Sequence, residues 1–332
     1  MRARQCLSAR TSRGGLPARP SGGAWLLGLA VVAAMAASLA EASRSEARAE
    51  QQPVFRAETD LVTVGVTVRD RAGTPITDLS QADFAVTEDG RAQTVTYFAR
   101  GDQENGAVET HVGLLLDTSG SMGADIELAR KAAVRFLNTI RDAVDMTLVD
   151  FDDEVRIARY SQQDFPRMVE RIRSRKLGGQ TAFYDALGVY LDGAADADGR
   201  TILVIFTDGG DTRSAIPFKD IMDLLRAAPV TVYSVGFLEH QPSSVRGEQR
   251  LRLTQMAAET GGEAIFPLSM KEIESAYDRV VAGIRAQYTL GYTSTNAARD
   301  GRWRRVEVKV AQPRRDTRVL TRKGYFAPLV RP

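Results

Sequence analysis

Apolar and polar residues alternate with two different periods along this chain, and the changes of period divide it into three stretches. Over residues 54–100 the period is two. Val62, Val64, Val66 and Val68 alternate with Thr63, Gly65 and Thr67, the pattern of a half-buried strand. Asp89-Gly90 is a tight-turn dipeptide and predicts a strand pair, with Phe84-Ala85-Val86 before it and Val95-Thr96-Tyr97-Phe98 after it. From Val112 the rhythm changes. The apolar runs Val112 to Leu116, Met146 to Phe151, Ile202 to Phe206 and Val230 to Val235 are separated by helical patterns. Ile126, Ala129, Ala133, Phe136, Leu137 and Ile140 share one helical face, and Phe165, Met168, Val169 and Ile172 share another. Met270, Ile273, Tyr277, Val280, Val281 and Ile284 form a last helix. Strands too apolar to face water on either side predict an α/β domain over residues 110–285, with a doubly wound, mainly parallel sheet and helices on both faces. After Arg285 the β period returns in Tyr288, Leu290 and Tyr292, then Val306, Val308 and Val310, then Val319 to Phe326.

Each β flank, 54–100 and 286–327, is only roughly 45 residues long, and a segment of that size seldom buries a sufficient core without a disulfide or metal staple. The flanks are therefore expected to pair into one small all-β sandwich, with the α/β domain inserted between them.

The N-terminus changes the picture of charge and location. Residues 1–40 hold Arg2, Arg4, Arg10, Arg13 and Arg19, no acid, and then the apolar run Ala24 to Ala40. A basic start, an apolar stretch and the small residues Ser38-Leu39-Ala40 form a secretion signal by pattern. Cleavage is expected after Ala40 or Ala42; left uncleaved, residues 24–40 would anchor the chain in a membrane. Either way the rest is placed outside the cytoplasm, in the periplasm, the cell envelope or the extracellular space. Residues 41–53 mix Glu, Arg, Ser and Gln and read as a linker. The chain has 44 basic and 42 acidic residues; without the five leader arginines this becomes 39 against 42, or −3. The basic excess thus belongs to the leader and gives no warrant for a nucleic-acid partner. Cys6, the single cysteine, lies ahead of the apolar run, so a cleaved chain would have no disulfide, thiolate metal site or cysteine nucleophile. The whole chain is 43% hydrophobic and 26% charged over 332 residues, which fits a globular protein of one or two domains.

Candidate chemistry gathers at strand ends. Leu116-Asp117-Thr118-Ser119-Gly120-Ser121-Met122-Gly123 closes the first α/β strand just before a helix, at the edge where open α/β sheets bind ligands. Asp117, Ser119 and Ser121 alternate, so an extended loop points their oxygens to one side, and hard divalent cations take oxygen ligands. Taken alone this D-x-S-x-S loop is also a plain turn in which Ser121 caps the helix. Gly178-Gly179-Gln180-Thr181 opens the helix starting near Ala182, and Phe206-Thr207-Asp208-Gly209-Gly210-Asp211 ends another apolar strand. A D-x-S-x-S loop, a later loop threonine and a later strand-end T-D-G, in that order, resemble the metal-ion-dependent adhesion site of von Willebrand factor A domains. The resemblance covers residues 110 to 285. It implies that Asp117, Ser119, Ser121, Thr181 and Asp208 surround one divalent cation, Mg²⁺ or else Mn²⁺ or Ca²⁺, some directly and some through water. It also implies a protein partner that offers an Asp or Glu carboxylate to the metal. The flanks are similar to a group of exported bacterial relatives of this family, through Asp83 to Gly90 (D-F-x-V-x-E-D-G) and Arg322 to Tyr325 (R-K-G-Y).

Other acidic and basic groups weigh less. Asp185 reads either as a residue orienting a ligand hydroxyl or as a first-turn helix carboxylate, and Asp211 is equally open. Asp152, Asp153 and Glu154 read as a solvated turn between strands, and His111 and His240, the only histidines, as surface loop residues. Tyr288, Tyr292, Tyr325 and Phe326 read as sandwich core. The expected function is metal-dependent adhesion or scaffolding in the cell envelope, without catalysis. The alternatives are a metal-dependent phosphoryl-transfer or hydrolytic enzyme, for which a general acid and a phosphate loop are missing from the sequence pattern, and a metal-free structural scaffold.

Overall fold

A computed structural model of the chain describes residues 61–101, 109–140, 143–194, 199–310 and 317–329. The export leader expected at 1–40, with its alternative as an anchor, and the linker at 41–53 lie outside the described residues.

The α/β domain contains strands β5 (Thr110–Asp117), β6 (Asp145–Phe151), β7 (Val155–Ser161), β8 (Arg200–Thr207), β9 (Val230–Gly236) and β10 (Ala264–Ile265). Its helices are α1 (Ile126–Thr139), α2 (Phe165–Ser174), α3 (Phe183–Ala194), α4 (Phe218–Ala227), α5 (Ser243–Thr260) and α6 (Met270–Arg285). The sheet order is β10-β9-β8-β5-β6-β7, parallel throughout except for β7, which runs antiparallel to β6. Alternate residues of each strand serve different layers. Val112, Leu114 and Leu116 pack with α1, α2 and α6, whereas Leu115 packs with α3, α4 and α5. Both faces are covered, which is why these strands read as continuous apolar runs rather than alternating ones. The chain leaves β5 for β6 on one side and returns to β8 on the other, so the carboxyl ends of β5 and β8 border the crevice where strand order reverses.

The flanks contribute β1 (Leu61–Arg69), β2 (Phe84–Glu88), β3 (Arg91–Gln93), β4 (Val95–Arg100), β11 (Tyr288–Thr293), β12 (Trp303–Val310), β13 (Arg318–Thr321) and β14 (Gly324–Phe326). They form two antiparallel sheets, β13-β1-β11-β4 and β14-β12-β2-β3, each built from both flanks. One core lies between them. Val64, Val66, Tyr288 and Leu290 of the first sheet meet Phe84, Val86, Val306 and Val308 of the second, with the Phe84 and Tyr288 rings edge to face at 5.1 Å.

Two details of the pairing differ from the sequence reading. The turn at Asp89-Gly90 joins β2 to the short β3, not to Val95–Phe98, which continues as β4 into the opposite sheet beside β11. The Gln93 side chain holds this crossing by exchanging hydrogen bonds with Thr295, its Nε2 donating to Oγ1 at 2.9 Å and its Oε1 accepting from the Thr295 N–H at 3.1 Å. Likewise Val319 to Phe326 is two strands, β13 and β14, in different sheets. Arg322 and Lys323 form the corner between them and fasten the sandwich to the α/β domain. Arg322 Nη2 donates to the Arg226 carbonyl at the end of α4 at 2.9 Å, and Lys323 Nζ lies 3.1 Å from Glu259 on α5.

The two flank motifs meet inside the sandwich. Glu88, 2% exposed, accepts hydrogen bonds from Tyr292 Oη at 3.0 Å, Tyr325 Oη at 2.8 Å and Ser294 Oγ at 2.6 Å. A buried carboxylate is tolerable there because three hydroxyl donors replace water.

Candidate metal centre

Asp117 is the last residue of β5, and its carboxylate is wholly buried. Its Oδ1 accepts from the Ser119 N–H at 3.0 Å and from Ser119 Oγ at 2.6 Å, and its Oδ2 accepts from Thr207 Oγ1 at 2.6 Å. Ser119 Oγ lies 3.0 Å from Ser121 Oγ. The alternation in D-x-S-x-S therefore does bring the three oxygens into one contiguous group. Ser119 is fully buried and Ser121 exposed, so the group runs from the sheet edge out to solvent.

Two further loops close on this one. The Gly178 N–H donates to the Thr118 carbonyl at 3.1 Å, and the Gly120 N–H to the Gly179 carbonyl at 3.2 Å. Gly179 has φ +72°, and a Cβ there would lie 2.4 Å from the Asp153 carboxylate, so glycine suits both the left-handed turn and the close approach. Thr181, 4% exposed, is gripped by the loop after β8. Its N–H donates to Thr212 Oγ1 at 3.0 Å and its carbonyl accepts from the Thr212 N–H at 2.9 Å. Asp208, 1% exposed, follows β8 directly, its Oδ1 accepting from the Gly210 N–H at 2.8 Å and its Oδ2 from Gln241 Nε2 at 2.9 Å. The five positions singled out in the sequence thus stand on three loops at one edge of the sheet, joined by hydrogen bonds.

Electrostatics mark this edge as unusual. Burial, and then the like charge of Asp208, push the Asp117 carboxyl up to about 7, against the lowering effect of its hydroxyl and backbone donors. The donors that touch Asp117 and Asp208 are hydroxyls, backbone N–H groups and one amide; among the described residues neither carboxylate has a lysine or arginine partner. Two buried carboxylates with hydroxyls around them and no organic cation fit a divalent ion, which supplies the missing positive charge and takes oxygen ligands. Among the described residues no group of three or more His, Cys, Asp or Glu could hold a metal ion, so the fit rests on two acids plus hydroxyls.

A pH dependence follows in the presence of chelator. With the folded-state value near 7 and the ordinary value at 3.8, proton binding by Asp117 favours the folded state fully below about pH 4. That contribution is lost as pH rises through 7. The metal-free protein should therefore lose several degrees of melting temperature between pH 5 and 8 relative to Asp208→Asn, which lacks the neighbouring charge. Parallel pH profiles of the two proteins would show that the charge of Asp208 does not help raise the Asp117 carboxyl.

The remaining sequence candidates serve the scaffold. Asp185 Oδ1 accepts from the Ile216 N–H at 3.0 Å, holding the loop after β8 rather than a ligand hydroxyl, and the α3 start is met by Asp211, whose Oδ2 accepts from the Tyr184 N–H at 2.9 Å. Asp152, Asp153 and Glu154 do form the β6–β7 turn, but the turn is engaged. Asp153 Oδ1 accepts from the Gln180 N–H at 2.5 Å, and Asp152 pairs with Arg156 at 2.9 Å. His111 is not in a surface loop; it sits half-buried on β5 with Nδ1 3.1 Å from Asp145, because a strand places it beside the start of β6. His240 is exposed after β9, with Nδ1 3.0 Å from Asp125. Sequence reading missed Gln241 as a partner of Asp208. No local pattern marks it, since it arrives from a loop thirty-three positions away.

Comparison with known proteins identifies the domain. The family model described as the von Willebrand factor type A domain matches residues 111–279. No match is found among curated proteins. Similar solved structures include the PilB minor pilin from Streptococcus sanguinis, with 13% identity and a TM-score of 0.45, covering 56% of this chain and 63% of the pilin. This chain therefore spans less than two thirds of that protein's length. They also include the von Willebrand factor type A protein from Catenulispora acidiphila, with 12% identity, a TM-score of 0.46, and coverage of 80% of this chain and 74% of that one. The domain from the type V pili tip protein Mfa5 of Porphyromonas gingivalis has 12% identity and a TM-score of 0.44, covering 53% of this chain and 96% of that one.

Proposed function

The chain belongs to the von Willebrand factor type A family, and from that premise we propose that it is an exported binding protein that captures a protein partner through a divalent metal ion. The observation that supports this most is the pair of buried carboxylates, Asp117 and Asp208, at the strand-order reversal with no lysine or arginine partner among the described residues. Asp117, Ser119, Ser121, Thr181 and Asp208 would hold the ion, and oxygen-only ligation favours Mg²⁺ or Mn²⁺ over zinc. When bound, the ion supplies a Lewis-acidic position that attracts an anionic oxygen, because two carboxylates and three neutral hydroxyls leave its charge less satisfied than four carboxylates would.

The chain's own residues do the rest. Thr207 and the Ser119 N–H fix the Asp117 carboxylate, Gln241 and Gly210 fix Asp208, and exposed Ser121 leaves the group open to solvent on one side. A partner's Asp or Glu side chain approaching that side meets a preorganised site, and the surrounding loops decide which partner fits. The reading is of binding rather than turnover. Export rests on the arginine-rich, acid-free leader and its apolar run.

Capture of a partner from envelope extract, with Mg²⁺ and with chelator, tests the proposal. Chelation is expected to reduce capture at least tenfold, and Ser119→Ala to act in the same direction. Capture indifferent to chelator, with calorimetry showing no divalent-ion binding to the folded protein, would leave the domain as a metal-free scaffold.

A further inference from the structure

On α1, the helix that follows the D-x-S-x-S loop, a groove of about 510 Å³ is lined by Arg130, Lys131 and Arg135 together with Arg173 of α2, and Glu127 is the only acid among its lining residues. Part of this charge is spent internally. Arg130 pairs with Glu127 at 3.0 Å, and Arg135 lies 3.6 Å from both Glu274 and Asp278 on α6. Lys131 and Arg173 are exposed and have no acidic partner among the described residues, and the same holds for Lys176 just beyond the end of α2. Glu170 is exposed on α2 but does not line the groove.

Hydrogen bonds link the groove to the metal centre. Arg130 donates to the Arg175 carbonyl, and Arg175, Lys176 and Gly178 line, with Asp152, a second hollow of about 380 Å³, in which Arg175 is paired with Asp150 and Asp152, Lys176 carries the free charge, and Gly178 is bonded to Thr118 of the D-x-S-x-S loop. Unpaired cations on adjoining walls raise the local potential, and a concave surface focuses it. A ligand that brings one carboxylate to the metal centre would then be drawn along a track of positive charge.

Resting on the metal-binding reading above, we infer that the partner presents a run of acidic residues, one carboxylate at the metal centre and others against Lys176, Lys131 and Arg173. Ser121 to Lys131 spans ten residues, roughly 15 Å at helical rise, and an extended peptide covers that in about five residues. The fitting occupant is an extended acidic polypeptide segment, whose flexible carboxylates meet single cations spaced along a groove. A nucleic acid would instead ask for a broad basic face, whereas the unpaired cations here are three separate side chains, Lys131, Arg173 and Lys176.

The test uses the whole exported chain and a fluorescent hexaglutamate peptide, with hexaglutamine and a thymidine hexanucleotide as controls. In Mg²⁺ at low salt, Lys131→Glu with Arg173→Glu is expected to weaken hexaglutamate about tenfold, and added salt to remove most of the difference. Both positions are exposed, so the melting temperature and its response to Mg²⁺ should stay as in the parent. No hexaglutamate binding by the parent, or affinity unchanged by the double reversal, overturns the inference, as does equal binding of the hexanucleotide. Loss of binding on reversal but not on chelation would uphold the groove while refuting the metal reading. Loss on chelation but not on reversal would do the opposite.

Discussion

Asp208→Asn is expected to leave the chain folded while removing its response to divalent cations. The residue stands just past β8, 1% exposed, and its oxygens accept from Gly210 and Gln241. Asparagine keeps the shape and an acceptor for the Gly210 N–H, its amide nitrogen can donate to Gln241 Oε1 once that amide turns over, and the charge is gone. Without that charge the Asp117 carboxyl loses the neighbour that, after burial, does most to raise it, so the chelated variant should be at least as stable as the chelated parent. With cation the order reverses. An ion present at about a hundred times its dissociation constant stabilises the folded state by about 2.7 kcal/mol, which for a chain of this size is a rise of roughly 5–10 °C in melting temperature. The parent should show that rise with Mg²⁺ and Asp208→Asn should show less than a quarter of it. Thermal melts of both proteins with and without chelator decide the matter: a full Mg²⁺ response in the variant, or none in the parent, would sink the assignment of Asp208.

Glu88→Ala is expected to destabilise the sandwich by about 3–5 kcal/mol, since hydrogen bonds to a charged group contribute about 1.5–3 kcal/mol each and do not add fully. The substitution also strands the hydroxyls of Tyr292, Ser294 and Tyr325, which have replaced water around the carboxylate. Glu88 belongs to β2 and Tyr325 to β14, so the loss is felt in both flanks at once. Hydrogen exchange should speed up together in β1, β2, β11 and β12, while the apolar strands β5 and β8 stay protected longer. Glu88→Gln, which keeps one acceptor, should cost about half as much. A denaturant midpoint for Glu88→Ala within about 1 kcal/mol of the parent would show that these hydroxyls find other partners.

Much of this architecture is legible along the chain. Valines at every second position from Val62 to Val68 specify a strand with one apolar face, and Val64, Val66 and Val68 are all buried while Leu61 and Thr63 are exposed. The unbroken apolar runs of β5 and β8 specify strands buried on both faces. Asp117, Ser119 and Ser121 stand at a fixed local spacing that the loop at the end of β5 makes readable, whereas Thr181 and Asp208, far along the chain, were joined to them only by resemblance to the family's motif. Apart from that motif, these are statements about residues within a few positions of each other, where backbone geometry alone fixes which side chains share a face.

Only the tertiary structure decided what lies across space. Val95 to Phe98 enters the sheet opposite the one its turn suggests, and Arg322-Lys323 breaks one apparent strand into two. Glu88 finds Tyr325, and Asp208 finds Gln241, over sequence separations at which no local period survives. Charge behaves the same way. Asp152 to Glu154 looks like a solvated turn until Gln180 and Arg156 are folded against it, and Lys131 and Arg173 look like ordinary solvated helix residues until α1 and α2 set them on facing walls of one groove. Burial and periodicity are properties of a segment, whereas the partner of a polar or charged group is a property of the packing, set when distant segments bury their apolar faces together.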